Sequence, residues 1–339
     1  MRVAMLIEPG RIELREVERP VPAAGALLLR VRAALTDGTD VKAYRRGHPQ
    51  MPMPTRFGHE LSGDVVQIGA GVASFAVGDA VMCVHSAPCD ACFWCARGQE
   101  ELCETVMSTK ILGAYGEYIE IPSHIVTRNC FTKPVDLSYI EAAFLEPLAC
   151  VVHSIAMLAL QSAEFVAVMG DGGFGLLHAL VLAERGVRVV LVGRRAERLA
   201  IAASLGIDAV DARCVSPAEA ILAHSDGRGA DALIECTGRR DVWEAAPLLV
   251  RRGGHVALFG GLPADARVSF SAARLHYDEV RLFSPFHFTP RAVRAAYELL
   301  AHHRIAVRPL ITDVVPLARI GEVFARLDAG DGVKFAIEP

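Results

Sequence analysis

The chain has 339 residues, 52% hydrophobic and 22% charged, with 35 basic against 39 acidic side chains and a formal charge of −4. This balance gives no electrostatic footing for nucleic acid, the apolar content excludes a largely disordered chain, and the length allows two domains with ample cores. No apolar run reaches membrane-spanning length, and Met1-Arg2-Val3 opens into strand-like sequence without a signal peptide's apolar region, so a soluble cytoplasmic protein is expected.

From Met1 to about Pro147 the chain consists of short apolar stretches broken by Gly and Pro. Leu27 to Arg32, Leu61 to Val66 and Ala80 to Val84 read as strands, separated by turns such as Gly69-Ala70-Gly71 and Val77-Gly78-Asp79. A mainly β unit, in the form of a distorted barrel, is expected. Among these strands fall Asp37-Gly38-Thr39-Asp40 and Gly58-His59-Glu60, and near the end of the unit Glu146-Pro147-Leu148. Leu148 to Leu160 is apolar but short and carries His153 and Ser154, which predicts a buried helix.

Nine cysteines without an export signal argue against a disulfide framework. Four of them, Cys89, Cys92, Cys95 and Cys103, crowd one stretch. Two-residue gaps let successive sulfurs turn inward, and the longer gap brings the chain back to close a tetrahedron. Four sulfurs with no spare position describe a structural zinc. An iron–sulfur cluster or plain reduced thiols are the alternatives.

From about Ala149 to Ser284 strands and helices alternate: Phe165 to Met169, helix Phe174 to Arg185, Val187 to Val192, helix Ala196 to Leu205, Ala230 to Cys236 and His255 to Phe259. Apolar strands interleaved with helices predict an α/β fold with a parallel sheet covered on both faces. Helices from Pro290 to His303 and Leu317 to Asp328 and a strand from Val333 to Ile337 complete the chain. No internal repeat is visible.

The first turn of the α/β part reads Gly170-Asp171-Gly172-Gly173-Phe174-Gly175, a G-x-G-x-x-G between strand and helix. Such a turn admits a pyrophosphate close to the backbone and aims a helix N-terminus at its charge. At the end of the second strand, where an NAD site carries an acid for the ribose hydroxyls, stands Gly193-Arg194-Arg195. Arginine binds a 2′-phosphate that a carboxylate would repel, so NADP is favoured over NAD. Otherwise these arginines solvate a helix start.

Taken in order, Gly58-His59-Glu60, the four-cysteine lobe, Glu146-Pro147-Leu148, the glycine turn and Phe259-Gly260-Gly261 resemble a zinc-containing medium-chain dehydrogenase/reductase, nearest the alcohol, sorbitol and threonine dehydrogenase branch. The resemblance spans essentially the whole chain. It implies a GroES-like catalytic domain over 1–148, with the zinc lobe at 89–103. A Rossmann NADP-binding domain over 149–284 and a return to the catalytic domain over 285–339 follow, with a cleft between the domains. It implies a homodimer or homotetramer. It also places Phe174, Arg198, Thr237 and Gly260 with the glycines and Arg194–Arg195 at the cofactor.

In that family the catalytic zinc takes a Cys where this chain has Asp37. Carboxylate oxygen is a competent ligand, so the resemblance implies a catalytic zinc on Asp37, His59 and Glu146, with Glu60 as an exchangeable ligand. The bland alternative is a vacated site whose acids pair with basic groups. Thr39 would hydrogen-bond the alcohol oxygen and begin a proton relay. The usual relay histidine is replaced by Lys42, and His48 is another relay candidate. Phe57, Phe286, His287 and Phe288 line the substrate cleft or belong to the core.

The expected function is hydride transfer between NADP and a secondary alcohol of polyol, cyclitol or sugar type, with a small-molecule substrate and neither nucleic acid nor membrane as partner. The alternatives are an NADPH-binding sensor or scaffold without its catalytic metal, and a zinc-free quinone or alkene reductase.

Overall fold

The computed structural model describes residues 1–49, 51–160 and 164–339. The chain divides into two compact units, one formed by Met1–Ala149 with Phe288–Pro339 and the other by Cys150–His287.

The first unit opens with β1 (Arg2–Glu8) and β2 (Arg11–Glu16), which pair antiparallel. β3 (Leu27–Leu35) leads into α1 (Gly38–Arg46), a helix that the β-rich texture of this region hides. β4 (Thr55–Arg56), β5 (Glu60–Ile68) and β6 (Ala80–Cys83) follow, then β7 (Tyr118–Ile121), α2 (Ser123–Asn129) and β8 (Cys130–Thr132). α3 (Tyr139–Ala142) starts with a Ser138–Glu141 capping box, and α4 (Leu145–Leu158) begins with Glu146 in its first turn.

The second unit is a run of β–α repeats. β9 (Phe165–Met169), α5 (Gly173–Glu184), β10 (Arg188–Gly193), α6 (Ala196–Ser204), β11 (Asp208–Asp211) and α7 (Pro217–His224) form its first half. β12 (Ala230–Glu235), α8 (Arg240–Ala245), β13 (Val250–Leu258), α9 (Ala272–His276) and β14 (Arg281–Phe283) form the second. The six strands are all parallel in the order β11-β10-β9-β12-β13-β14. The order reverses at β9, and such a switch point is where open α/β sheets bind ligands. Every residue of β9 is buried, as both faces of a central parallel strand require. α5 is buried nearly all round.

The chain then returns to the first unit with α10 (Pro290–Ala301), β15 (Ile311–Pro316), α11 (Ile320–Asp328) and β16 (Lys334–Glu338). β16 pairs antiparallel with β3, bringing Ala336 opposite Leu35. The resulting seven-stranded sheet runs β15-β16-β3-β5-β6-β8, with β7 on the other part of β3. Its core joins Leu6, Leu29, Phe57, Tyr115, Phe324 and Phe335. Phe57 is fully buried between Tyr115 and Phe324, so of its two sequence readings the core one holds. The second unit has its own core around Phe165, Val190, Leu233 and Val256.

Candidate active site

The junction of β3 and α1 sets one group of acids. Asp37 caps α1, its extended backbone turning the chain and its Oδ1 accepting the Thr39 amide at 2.6 Å. Aspartate is among the best residues at such a cap. Its second oxygen, Oδ2, is buried and has no hydrogen-bond partner, which for a carboxylate is costly unless a cation answers it. Oδ1 also lies 3.7 Å from His59 Nε2.

His59 stands just before β5, after Gly58. A Cβ at Gly58 would meet the Tyr115 ring at 2.7 Å, and its φ of +86° is one that glycine alone adopts freely. The small residue lets Tyr115 close over the site. Tyr115 donates to Asp40 Oδ2 at 2.6 Å and to the Leu35 carbonyl at 2.9 Å. Asp40 Oδ1 in turn lies 3.2 Å from His59 Nδ1. A carboxylate at one ring nitrogen holds the tautomer and turns the other nitrogen, Nε2, toward Asp37, as supporting acids do at metal-binding histidines.

Glu146, from the first turn of α4, reaches the same place. A nitrogen of His59 and one oxygen each of Glu60 and Glu146 all lie within 4.8 Å of one another. Glu146 Oε1 is 3.3 Å from Nδ1 of buried His85, whose ring stands edge-on to His59 at 5.0 Å. Glu60 is also held from below. Lys334 Nζ lies 2.7 and 2.6 Å from its two oxygens and donates to the Thr36 carbonyl at 2.6 Å.

Burial penalises every charge here, and the acids outweigh that penalty at one point. Desolvation lowers His59, but the Asp40, Glu146 and Asp37 charges prevail and hold it up to about 10. Desolvation likewise resists ionisation of Asp37, which His59 and Lys334 nonetheless keep below its ordinary range. Burial, then the His59 and Lys110 charges, push His85 well below its ordinary value, so it stays neutral with its Nδ1 close to Glu146. Burial raises Glu60 against the pull of Lys334, while Lys334, opposed by burial, is raised by Glu60 and Asp37. With its Nζ in contact with both oxygens, the lysine keeps the proton. Asp37, Asp40 and Glu146 thus crowd a single His59 ring, and each raises it.

This donor set fits a divalent metal. At metal–ligand bonds of about 2.0–2.2 Å, tetrahedral neighbours sit roughly 3.3–3.6 Å apart. The 3.7 Å between His59 Nε2 and Asp37 Oδ1 is close to that. The carboxylates would offset a divalent charge, and a cation on Nε2 would replace the proton that His59 otherwise carries. His59, Glu60 and Glu146 form one cluster, and Asp37 lies beside His59 with Thr39 next to it. Glu60 belongs to the cluster but both its oxygens engage Lys334.

A second donor set lies in the loop between β6 and β7. The sulfurs of Cys89, Cys92, Cys95 and Cys103 lie within 4.8 Å of one another, with Cys92 and Cys95 at 3.5 Å. The Cys89 amide donates to Cys103 Sγ at 3.3 Å, and amides and the Thr105 hydroxyl pull the Cys103 thiol down to about 6 against burial. A thiol so lowered is a ready thiolate ligand.

In the second unit the glycine turn joins β9 to α5. Gly170 has φ of +115°, and a Cβ on Gly175 would collide with the Gly170 carbonyl. Nothing stands within 4 Å of a Cβ placed on Gly172, the cap of α5, and no side chain caps the helix there. Gly172 and Gly173 therefore leave open backbone at a helix N-terminus, as pyrophosphate binding needs. The Phe174 ring packs on Phe259 at 4.8 Å. Thr237 and Gly238 donate to the Glu235 carboxylate, and Gly260 to its carbonyl at 2.8 Å, which fixes the β12 and β13 ends. Gly193 ends β10, and Arg194 and Arg195 beside it are exposed. Asp171 accepts both of their amides at 2.7 Å, and Arg198 lies 3.7 Å from its other oxygen.

Residues 23–130 match the alcohol dehydrogenase GroES-like domain family, and residues 173–302 match the zinc-binding dehydrogenase family. The chain belongs to the zinc-containing medium-chain dehydrogenase/reductases. It is 28% identical to a sorbitol dehydrogenase of Halalkalibacterium halodurans over 336 residues, 97% of this chain and 96% of that one. It is 29% identical to a D-arabitol-phosphate dehydrogenase of Enterococcus avium over 342 residues, 97% and 95% of the two chains. The structure of a zinc-binding dehydrogenase of Sinorhizobium meliloti bound to NADP superposes with a TM-score of 0.91 at 28% identity, covering 100% of this chain and 99% of that one. This medium-chain dehydrogenase/reductase is therefore an alcohol oxidoreductase of the zinc type, with a GroES-like and a Rossmann domain and a nicotinamide cofactor. No helix among its described residues is long and apolar enough to cross a membrane.

Sequence reasoning misses four functional side chains: Asp40, His85, Tyr115 and Lys334. Asp40 carries a signal, since it sits in the Asp37-Gly38-Thr39-Asp40 stretch three residues from the cap. The other three come from distant segments. Of the aromatic candidates besides Phe57, Phe288 is buried against His85 at 5.7 Å and Phe286 is 45% exposed.

Proposed function

We propose that this protein oxidises a secondary alcohol of a polyol, cyclitol or sugar with NADP, or reduces the matching ketone with NADPH, using a catalytic zinc on Asp37, His59 and Glu146. The observation that carries the reading is the buried excess of carboxylate around an oriented histidine, with Asp37 Oδ2 left without a partner. A divalent cation there supplies Lewis acidity, which favours loss of a hydroxyl proton and polarises a carbonyl. Asp40 and Tyr115 hold His59 in its ligating tautomer, and His85 orients Glu146. The Thr39 hydroxyl, on the residue whose amide is bonded to Asp37, would hydrogen-bond the substrate's hydroxyl and take its proton while giving its own to solvent water. A bound nicotinamide would supply the hydride acceptor, so that the alcohol would leave as a ketone with NADPH and one proton. Lys334 holds Asp37 in its charged form, and Glu60, tied to Lys334, acts as the exchangeable ligand. Cys89, Cys92, Cys95 and Cys103 hold a structural zinc. Gly170, Gly172, Gly173, Gly175 and Arg194–Arg195 take the cofactor.

The substrate carries a negative group. Burial lowers His48, and so do the nearby charges of Lys110, Lys42 and Arg46; Lys110 also acts on His85 beside the acids. Thr39, Lys42 and Arg46 share one stripe of α1. Lys42 and Arg46, on the stripe of α1 that carries Thr39, favour a polyol phosphate or sugar acid over a neutral polyol, and one of the similar chains is named for an arabitol phosphate.

A panel of neutral polyols, cyclitols, sugar acids and polyol phosphates, scored by NADPH absorbance with metal content measured in parallel, tests this. We expect two zincs per chain, turnover with secondary alcohols, and kcat/KM about tenfold higher for the anionic members, a preference of about 1.4 kcal/mol. Asp37→Ala should lose one zinc and nearly all turnover. One zinc in the wild type, or full retention of metal and activity in Asp37→Ala, defeats the catalytic-metal reading. Equal kcat/KM for neutral and anionic members defeats only the substrate charge.

A further inference from the structure

Asp171 is the second residue of the glycine turn, yet its carboxylate works at the tip of the neighbouring strand. Its Oδ2 accepts the backbone amides of both Arg194 and Arg195 at 2.7 Å. The side chain is almost fully buried, and Arg198 answers its other oxygen at 3.7 Å. A Cβ built on Gly193 would stand 2.5 Å from both Cβ and Oδ2 of Asp171. The carboxylate therefore occupies the room in which a side chain at position 193 would have to start. The other acid at this tip, Asp211, faces Gly193 across the β10–β11 ladder and is bound by Arg213 through both oxygens. Both acids are thus committed, while the Arg194 and Arg195 guanidinium groups make no ion pair among the described residues.

We propose that Asp171 is the positioning residue that sets cofactor choice: by holding the Arg194–Arg195 backbone and filling the space over Gly193, it presents two arginines to a 2′-phosphate and shuts out the ribose-binding acid of an NAD site. This deepens the NADP reading above and rests on it. The two amide bonds fix where both arginine side chains leave the backbone, and a bidentate guanidinium–phosphate contact depends on that direction. Arg198 and the two amides offset the charge of Asp171, so it does not repel the phosphate it helps to place. An acid introduced at position 193 finds its place taken.

The test is direct binding of NADPH and NADH to the metal-loaded protein, read by cofactor fluorescence, with thermal melting to check folding. In the wild type NADPH should bind the tighter. Asp171→Ala frees both amides and should weaken NADPH about tenfold, roughly what one to two lost hydrogen bonds are worth, while NADH changes less. Asp171→Asn can still accept both amides through its carbonyl oxygen and should stay within about threefold of wild type. Gly193→Asp alone should lose NADPH without gaining NADH. Gly193→Asp combined with Asp171→Gly, which opens the space, should bind NADH at least about tenfold tighter than Gly193→Asp alone, a coupling that independent sites would not show.

Equal weakening of both cofactors by Asp171→Ala would reduce Asp171 to a structural brace and overturn the proposal. So would NADH binding by Gly193→Asp equal to that of the double variant. A wild type that prefers NADH defeats the NADP reading, and the coupling between positions 171 and 193 still decides whether Asp171 bars an acid there.

Discussion

Lys334 is the cation on which the buried acids of the first unit rest. It is 3% exposed, and its partner Glu60 is fully buried. Removing one member of such a pair leaves a charge that neither water nor protein answers, at a cost of about 3–5 kcal/mol. Lys334→Met should therefore lower unfolding free energy in urea by about 3 kcal/mol, and adding Glu60→Leu should restore most of it. If the double variant is as unstable as the single one, the loss comes from packing around the methylenes and not from the stranded acid. His178 tests burial of a different kind. Its Nδ1 is 2.7 Å from the Phe174 carbonyl, so the neutral ring keeps its proton there, and a second proton would go to Nε2, which is buried without a partner. Burial accordingly lowers it from 6.5 to about 4, with the Phe174 bond resisting. The unfolded chain takes up that proton below about pH 6.5 and the folded chain only near pH 4, so stability is whole above pH 6.5 and falls as pH drops through this window. The loss amounts to about 3 kcal/mol by pH 4. His178→Gln should flatten the slope of unfolding free energy against pH between 6.5 and 4, and an unchanged slope would mean that another group carries the acid sensitivity.

The elements differ in how much of their role a sequence can show. The cysteine lobe and the glycine turn are legible because their parts lie within one loop or one β–α unit, where spacing alone determines geometry. The core strands are legible from apolar runs, and β9, β10 and β12 fall close to their expected bounds. α1 is not, because its residues sit among β-strands and its amphipathic stripe is interrupted by Asp40, which is buried to hold His59. Lys334 cannot be found at all, since 274 residues separate it from Glu60 and only the β16–β3 pairing unites them. Asp37 reads in sequence as a ligand replacing a thiolate, and its second task as the cap of α1 emerges only with the helix. The lobe makes its own prediction. Two short 3₁₀ turns, Cys95–Arg97 and Glu100–Leu102, are its regular structure, and neither has a buried residue. With so little apolar burial, the zinc proposed on its four cysteines would supply its order. Cys103→Ser should remove one zinc per chain, leave the other, and open the loop between Cys89 and Cys103 to protease. The stability lost should be about 3–4 kcal/mol, the linkage for a metal present at 100 to 1,000 times its Kd. A lobe that stays protease-resistant without zinc would show that its hydrogen bonds suffice.

At the scale of the whole molecule, the two units use the chain in opposite ways. The second unit is one continuous segment whose strands each pair with neighbours supplied by nearby β–α repeats, so every piece of its parallel sheet and core lies between Cys150 and His287. The first unit is built from both ends of the chain. β3 depends on β16, Phe57 packs on Phe324, and Glu60 needs Lys334. Closing a loop of nearly 300 residues costs only slightly more entropy than closing one half as long, because the cost grows with the logarithm of length. The intact chain can therefore sustain the arrangement, whereas a fragment lacking either end cannot form it. Two fragments separate these behaviours. Residues 145–287, which retain α4 whole, should melt cooperatively by circular dichroism and bind NADPH within about tenfold of the full chain, a deficit of about 1.4 kcal/mol. Residues 1–149 alone should show no cooperative melt, because they lack the strand that completes β3 and the cation that answers Glu60. The two tryptophans report separately, Trp243 in the second unit and Trp94 in the cysteine lobe. Adding residues 288–339 in trans should restore a cooperative transition seen by Trp94. A cooperative melt of 1–149 by itself would mean that β3 and the buried acids do not need the C-terminal return, and the account of Lys334 would fall with it.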